Sequence, residues 1–203
     1  MACWHPGPGY RMISSGVLGG GIGPREWVLN AQVPGRYART DPARHLPELA
    51  GGLGLTGPGV GMLTAAQVAG FVVRSDQGAE AAVTVGLRVP AWAAAPAGAA
   101  DPELAPGTIN IIVCVPVPLA DAALVNAVIT ATEAKTQAVL EAGFRGTGTA
   151  TDAVCVAAPV VAGRAAEDFA GPRSAWGARI ARAVHAAVLA GATGYAARGA
   201  GPV

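Results

Sequence analysis

The sequence predicts an α/β domain, a mixed β-sheet covered by helices in one layered body, with an α+β arrangement as the alternative. Three observations carry this. "GTINIIVCVPV", residues 107–117, is a nearly continuous apolar run, as expected of a strand buried on both faces. A helical stretch follows it, and a second apolar strand within 143–159 is followed by another helix, so two strand–helix units close the chain. Earlier, glycine-rich turns separate short apolar runs, which predicts antiparallel neighbours and makes the sheet mixed.

Residues 1–10 read as a disordered tail and 11–203 as a single domain. "RMISSGVLGGGI" and "EWVLNAQV" read as two short strands forming a hairpin-like pair. "TDPARHLPELAGGLGL" predicts a short helix, with Thr40 or Asp41 as cap, Pro42 at the first helical position and Gly51–Gly52 as the stop. "GPGVGMLTAAQV" is a glycine-rich bend into a further segment, and "AGFVVRSDQGAEAAVTVGL" is strand, Asp-Gln-Gly turn, strand. Residues 90–106 are rich in Ala and Pro and predict an irregular surface loop. The last helices are expected at about 121–142, ended by Gly143, and at about 173–190.

Composition narrows the function. The 203 residues are 52% hydrophobic and only 13% charged, with net charge +1 and no basic cluster, so nothing points to nucleic acid. No apolar window reaches the roughly 20 residues of a spanning helix, and "MACWHPGPGYR" is no secretory signal. A cytoplasmic protein is expected. Cys114 and Cys155 lie in apolar runs and read as small core hydrophobes, and no cysteine has zinc-type spacing with His5, His45 or His185. The alanine-rich final helix packs internally or across a homo-oligomer.

The helix at 121–142 carries the first site candidates. At about 100° per residue, Asn126, Thr130, Glu133 and Gln137 form one polar stripe. Leu124, Val125, Val128, Ile129, Thr132, Thr136 and Val139 form a bulky face, and Ala123, Ala127, Ala134 and Ala138 form a small-residue arc that permits close approach. Lys135 stands at the margin of the bulky face. It is either a stem reaching to solvent or an ammonium turned into a site. Downstream, Thr147, Thr149 and Thr151 alternate with small residues ahead of Asp152, so in an extended segment they share one face. That pattern is either a polar wall for a ligand with several amides or a β-prone run at the start of a strand.

Gly107-Thr108-Ile109-Asn110, the Thr-Glu-Ala-Lys-Thr run at 132–136 and Thr147-Gly-Thr-Ala-Thr-Asp152 together resemble the adenosylcobinamide amidohydrolase family, the CbiZ type of corrinoid salvage enzyme. "WVLNAQVP", which contains Asn30, "DP" at 41–42, "GVGMLTAA" at 59–66 and "FAGPRS" at 169–174 extend the resemblance over nearly the whole chain, whereas "VGLRVPAWAAA" at 85–95 departs from it. The resemblance implies a corrinoid substrate and hydrolysis of the amide between its aminopropanol group and a corrin-ring propionate. A non-catalytic corrinoid-binding protein is the alternative.

Amide hydrolysis needs a nucleophile, a proton acceptor and donors for the developing oxyanion. No Gly-x-Ser-x-Gly elbow is present, and no histidine is placed to pair with Ser or Cys. His45 reads as an exposed helix residue. The expected chemistry is therefore a water activated by Asp152 or Glu133, with Lys135 stabilising charge. Thr147, Thr149, Thr151, Thr108, Asn110 and Asn30 would hold the substrate. A covalent route through one threonine is the second route. No cofactor is predicted, with the cobalt corrinoid as substrate, while a divalent metal on Asp152, Glu133 and Asp41 stays open.

Overall fold

The computed structural model describes residues 1–35, 37, 39–99 and 107–198. Within them β1 spans Ala2–Trp4, β2 Tyr10–Ser14, β3 Gly21–Pro24, β4 Trp27–Gln32, α1 Pro42–Gly52, β5 Gly59–Thr64, β6 Val72–Asp76, β7 Ala79–Val85, β8 Ile109–Cys114, α2 Asp121–Glu141, β9 Ala153–Pro159 and α3 Ala175–Ala197. Six strands form a sheet in the order β3-β2-β9-β8-β7-β6, and three form a second sheet in the order β1-β4-β5. Both are mixed: β8 and β9 run parallel, as do β4 and β5, and the other pairs are antiparallel. The layered α/β class read from the sequence is the observed one.

The strand at 109–114 shows why its apolar run is continuous. Ile109, Ile111 and Val113 belong to the core under α2 and α3, whereas Ile112 packs into the core between the two sheets. β9 repeats the division, with Val154 and Val156 toward the helices and Cys155 and Ala157 toward the second sheet. Each large aliphatic side chain so buried contributes about 1.5–3 kcal/mol. A third core lies where α1 packs Leu46 and Ala50 against Trp27, Leu29 and Ala31 of β4. The order of layers is therefore α2 and α3, large sheet, small sheet, α1.

Several expectations are corrected. Residues 1–10 are not a loose tail: β1 adds an antiparallel edge to β4, and Trp4 meets Tyr10 edge-on at a ring separation of 5.3 Å. Backbone pairing and aromatic packing supply the order that composition did not show. The hairpin closes within 10–24, as β2 with β3, while β4 leaves for the second sheet. β4 is buried on both faces, Val28 against the large sheet and Leu29 against α1, which a solvent-backed hairpin could not provide. The glycine-rich segment after α1 is the strand β5. α1 starts at Pro42 but runs through Gly51 and Gly52, and Asp41 makes no side-chain cap. The β6–β7 hairpin turns at Gln77 and Gly78 (φ 44° and 93°), the conformation that the Asp-Gln-Gly signal requires. Residues 90–99 are irregular as expected, and 100–106 lie outside the described residues.

α2 ends one residue short of expectation, with Gly143 at φ 87° behind it, and α3 runs to Ala197 after Ser174 caps it through the Gly177 amide. On α2 the alanine arc is buried together with Leu124 and Val139 of the bulky face. Ala123, Ala127 and Ala138 are fully buried, whereas Val125 and Ile129 are 44% and 49% exposed. Small side chains let α2 lie close to α3 and the sheet, and that approach turns part of the β-branched side outward.

Candidate functional site

The site grows from the starts of two adjacent parallel strands. Asp152 ends the turn that leads into β9, and its carboxylate collects four donors. Oδ1 accepts from the Ile109 amide at 2.9 Å and the Thr149 hydroxyl at 2.6 Å, and Oδ2 accepts from Lys135 Nζ at 2.7 Å and the Thr149 amide at 3.1 Å. Lys135 reaches it from the fourth turn of α2. The side chains of this ion pair are 9% and 10% exposed, so the pair is buried and not a surface bridge. Lys135 thus follows the inward alternative. Gly148 makes the approach possible: at φ 154° it passes directly over the pair, and a Cβ there would overlap both Asp152 Oδ2 and Lys135 Nζ.

The threonines do not form one face of a strand, because 147–152 is a turn and β9 begins at Ala153. Their hydroxyls brace this turn instead. Thr149 lies within 2.8 Å of the Gly107 carbonyl as well as on Asp152, and Thr151 bonds Thr108 at 2.6 Å and the same carbonyl at 3.1 Å. Thr147 ties the 90–99 loop down by accepting from the Ala93 amide, while the Ala91 amide donates to Gly148 O. Thr136 of α2 donates to the Thr147 carbonyl. The loop and the turn together wall a cleft of about 650 Å³, whose lining includes Trp92, Lys135, Thr147 and Thr149. The 85–95 segment, which departs from the family pattern, supplies part of this wall.

Three of the sequence candidates lie elsewhere. Glu133 is exposed and faces His185 and Arg182 across a separate surface hollow. Two residues from Lys135 on a helix is a rotation of about 200°, so the two cannot share a side. Thr130 of the same polar stripe is buried and donates to the Ala170 carbonyl, a structural duty. Asn110 and Asn30 point between the sheets, where Asn110 Nδ2 donates to Asn30 Oδ1 and Leu63 O, and Asn30 Nδ2 donates to Thr84. The three-carboxylate metal set does not assemble: Asp41 is bound by Arg39, and among the described residues no three His, Cys, Asp or Glu side chains cluster. His45 is half-buried and stacks on Tyr37.

The profile of the adenosylcobinamide amidohydrolase family matches residues 1–200. The chain belongs to the adenosylcobinamide amidohydrolase family. It is also 32% identical over 189 residues to a Methanosarcina mazei protein named adenosylcobinamide amidohydrolase, covering 90% of each chain. No solved structure matches it significantly. The family consists of hydrolases acting on an amide bond, and the cleft above Lys135 and Thr149 is where the described residues bring a hydroxyl, a carboxylate and an ammonium together.

Burial explains why the thiols are not part of this chemistry. It pushes Cys155 up to about 12 and, helped by Glu80, Cys114 up to about 11, so both stay protonated at neutral pH. The segment missed by sequence reasoning is the 90–99 loop. Its Trp92, 50% exposed in an alanine- and proline-rich run, is the one local sign that it borders a site.

Proposed function

We propose that this enzyme hydrolyses adenosylcobinamide at the amide joining aminopropanol to a corrin-ring propionate, releasing adenosylcobyric acid for return to cobalamin synthesis. The observation that carries the reading is the Thr149 hydroxyl, which lines the cleft 2.6 Å from Asp152 behind it, with Lys135 on the other carboxylate oxygen. Binding alone needs no such buried charged group, so this favours catalysis over a carrier role.

The same geometry favours the threonine route over the water route. Both Asp152 oxygens already accept two hydrogen bonds, so a water would have to displace a donor before Asp152 could act on it. The Thr149 proton is already directed there. In the proposed sequence Thr149 Oγ1 attacks the amide carbon and its proton passes to Asp152. Lys135, with two N–H groups left after its bond to Asp152, faces the oxyanion. The C–N bond then breaks, the proton goes to the departing amine, and water attacks the threonine ester, giving a proton to Asp152 that returns to Thr149 Oγ1 as the C–O bond breaks and the acid leaves. The three free cysteines, and the lack among the described residues of any helix long and apolar enough to cross a membrane, fit a cytoplasmic setting.

Incubation with adenosylcobinamide should release 1-aminopropan-2-ol and adenosylcobyric acid in equal amounts, measured by mass spectrometry. Corrinoid binding without release would overturn the enzymatic reading. Thr149→Val should stop turnover while leaving binding within about tenfold, roughly 1.4 kcal/mol. Full activity in Thr149→Val would restore the water route.

A further inference from the structure

Asn30 and Asn110 are not absorbed by the cleft: Asn30 lines a second cavity, and Asn110 stands behind it, bonded to its Oδ1. This cavity, about 420 Å³, lies between the sheets, bounded by β1 on one side and β6, β7 and β8 on the other. Its inner end is polar and buried, with Asn30 4% and Thr84 2% exposed. Its outer walls are apolar and aromatic: Trp4, Tyr10 and Phe71, the last 49% exposed. Glu80 is the only charged residue in its lining, so a phosphate would meet a carboxylate and no cation.

The orientation of the amides follows from their partners. Asn110 Nδ2 faces two oxygens, Asn30 Oδ1 and Leu63 O, so turning that amide over would oppose oxygen to oxygen. Asn30 then spends one lone pair on Asn110 and one N–H on Thr84. One acceptor lone pair and one N–H of the Asn30 amide are left unspent by these bonds. An amide with one donor and one acceptor to spend is the complement of adenine, whose amino group donates and whose ring nitrogen accepts, and aromatic walls suit a flat base. The Asn30–Asn110–Thr84 group is also one donor short, because the buried Asn110 Oδ1 has no partner. A buried polar group left so, one residue behind a cavity wall, calls for a partner that the protein itself does not supply.

We propose that the cavity between the sheets binds an adenine nucleoside, base inward on Asn30 and ribose hydroxyls outward on Glu80. A carboxylate accepting from a ribose diol is a recurrent means of holding that sugar, and it rejects the phosphorylated form by charge. The nucleoside can arrive free or as the adenosyl group carried by a corrinoid; only the second source rests on the function proposed above.

Calorimetric titration of the full chain with adenosine, guanosine and AMP tests this. Adenosine should bind, with guanosine and AMP at least about tenfold weaker, and Glu80→Gln should narrow the AMP gap. Ala82→Leu fills the cavity from a wall position and should abolish binding with the melting temperature unchanged. Phe71→Ala, at an exposed position, should weaken it without affecting folding. Absence of adenosine binding to millimolar concentration, or wild-type binding in both variants, overturns the proposal. The preference for adenosylcobinamide over cyanocobinamide then identifies the source. Its loss in Ala82→Leu assigns the carried group, and its persistence assigns the free nucleoside. Adenosine binding by a chain that releases no aminopropanol would leave this site standing and remove the hydrolytic reading alone.

Discussion

Asp152→Asn should destabilise the fold far more than a change of one atom suggests. The carboxylate accepts Ile109 N and the Thr149 hydroxyl on one oxygen, and Lys135 Nζ and Thr149 N on the other. An asparagine supplies one oxygen, so its NH₂ must face two donors, either the Ile109 amide and the Thr149 hydroxyl or the Thr149 amide and Lys135, and in both orientations a buried ammonium, its side chain only 9% exposed, loses its countercharge. Removing one partner of a buried ion pair costs about 3–5 kcal/mol, a large part of a typical stability of about 5–15 kcal/mol. Lys135→Met should cost less, about 1–3 kcal/mol, because Asp152 keeps three donors. The double variant should be more stable than Asp152→Asn alone, since the stranded cation is gone. Urea unfolding followed by circular dichroism, at constant m, measures all three, and the single Asp152 variant should melt roughly 6–20 °C lower. Asp152→Asn within about 0.5 kcal/mol of wild type, with strictly additive effects, would refute the buried pair as the organising contact of the turn. Kinetic losses in this variant must be read below its melting range.

Two further outcomes follow from single contacts. Thr130→Val should cost about 1–3 kcal/mol by thermal unfolding, because it strands the buried Ala170 carbonyl between α2 and the loop before α3, and should leave turnover unchanged; a loss of activity at full stability would place Thr130 in the site after all. Thiol alkylation at pH 8 should label exposed Cys3 first, while Cys114, raised to about 11, has a thiolate fraction of about 10⁻³ and reacts far more slowly. Cys155, raised to about 12 and fully enclosed, should react only on unfolding, and labelling it as fast as Cys3 would contradict the core placement.

What was legible in the sequence was local. Lys135 and Asp152 stand seventeen positions apart, on a helix and at the end of the turn that leads into the next strand, so the geometry of one strand–helix–strand unit brings them together. Glu133 failed as a candidate for a reason just as local. The polar stripe of α2 and its small-residue arc compete for the core, and close packing against α3 and the sheet is won by alanine, which leaves Glu133 exposed over a hollow shared with His185. The second sheet was not legible because nothing in "WVLNAQ" says which neighbour it takes. That choice is made by α1, whose Leu46 needs Leu29 as a partner, and by β5, which pairs residue for residue with β4.

The placement of the site explains why its threonines misled. Ligands on open α/β sheets usually gather beyond the carboxyl ends of strands. Here Ile109 and Asp152 stand at the amino ends of β8 and β9, where strand amides point outward unpaired. Asp152 satisfies the Ile109 amide of β8 and the turn amide of Thr149, and in doing so fixes the turn that carries Thr149. A run of alternating threonines therefore resembles a strand while serving as a turn around a carboxylate. The hydroxyls of Thr147 and Thr151 are committed to Ala91, Gly107 and Thr108 before any substrate arrives. Of the three hydroxyls, Thr149 alone combines a carboxylate at 2.6 Å with a position on the cleft wall beside Lys135. That conjunction, rather than the threonine content, separates a nucleophile from a brace, and it makes Thr149 the residue on which the proposed chemistry stands or falls.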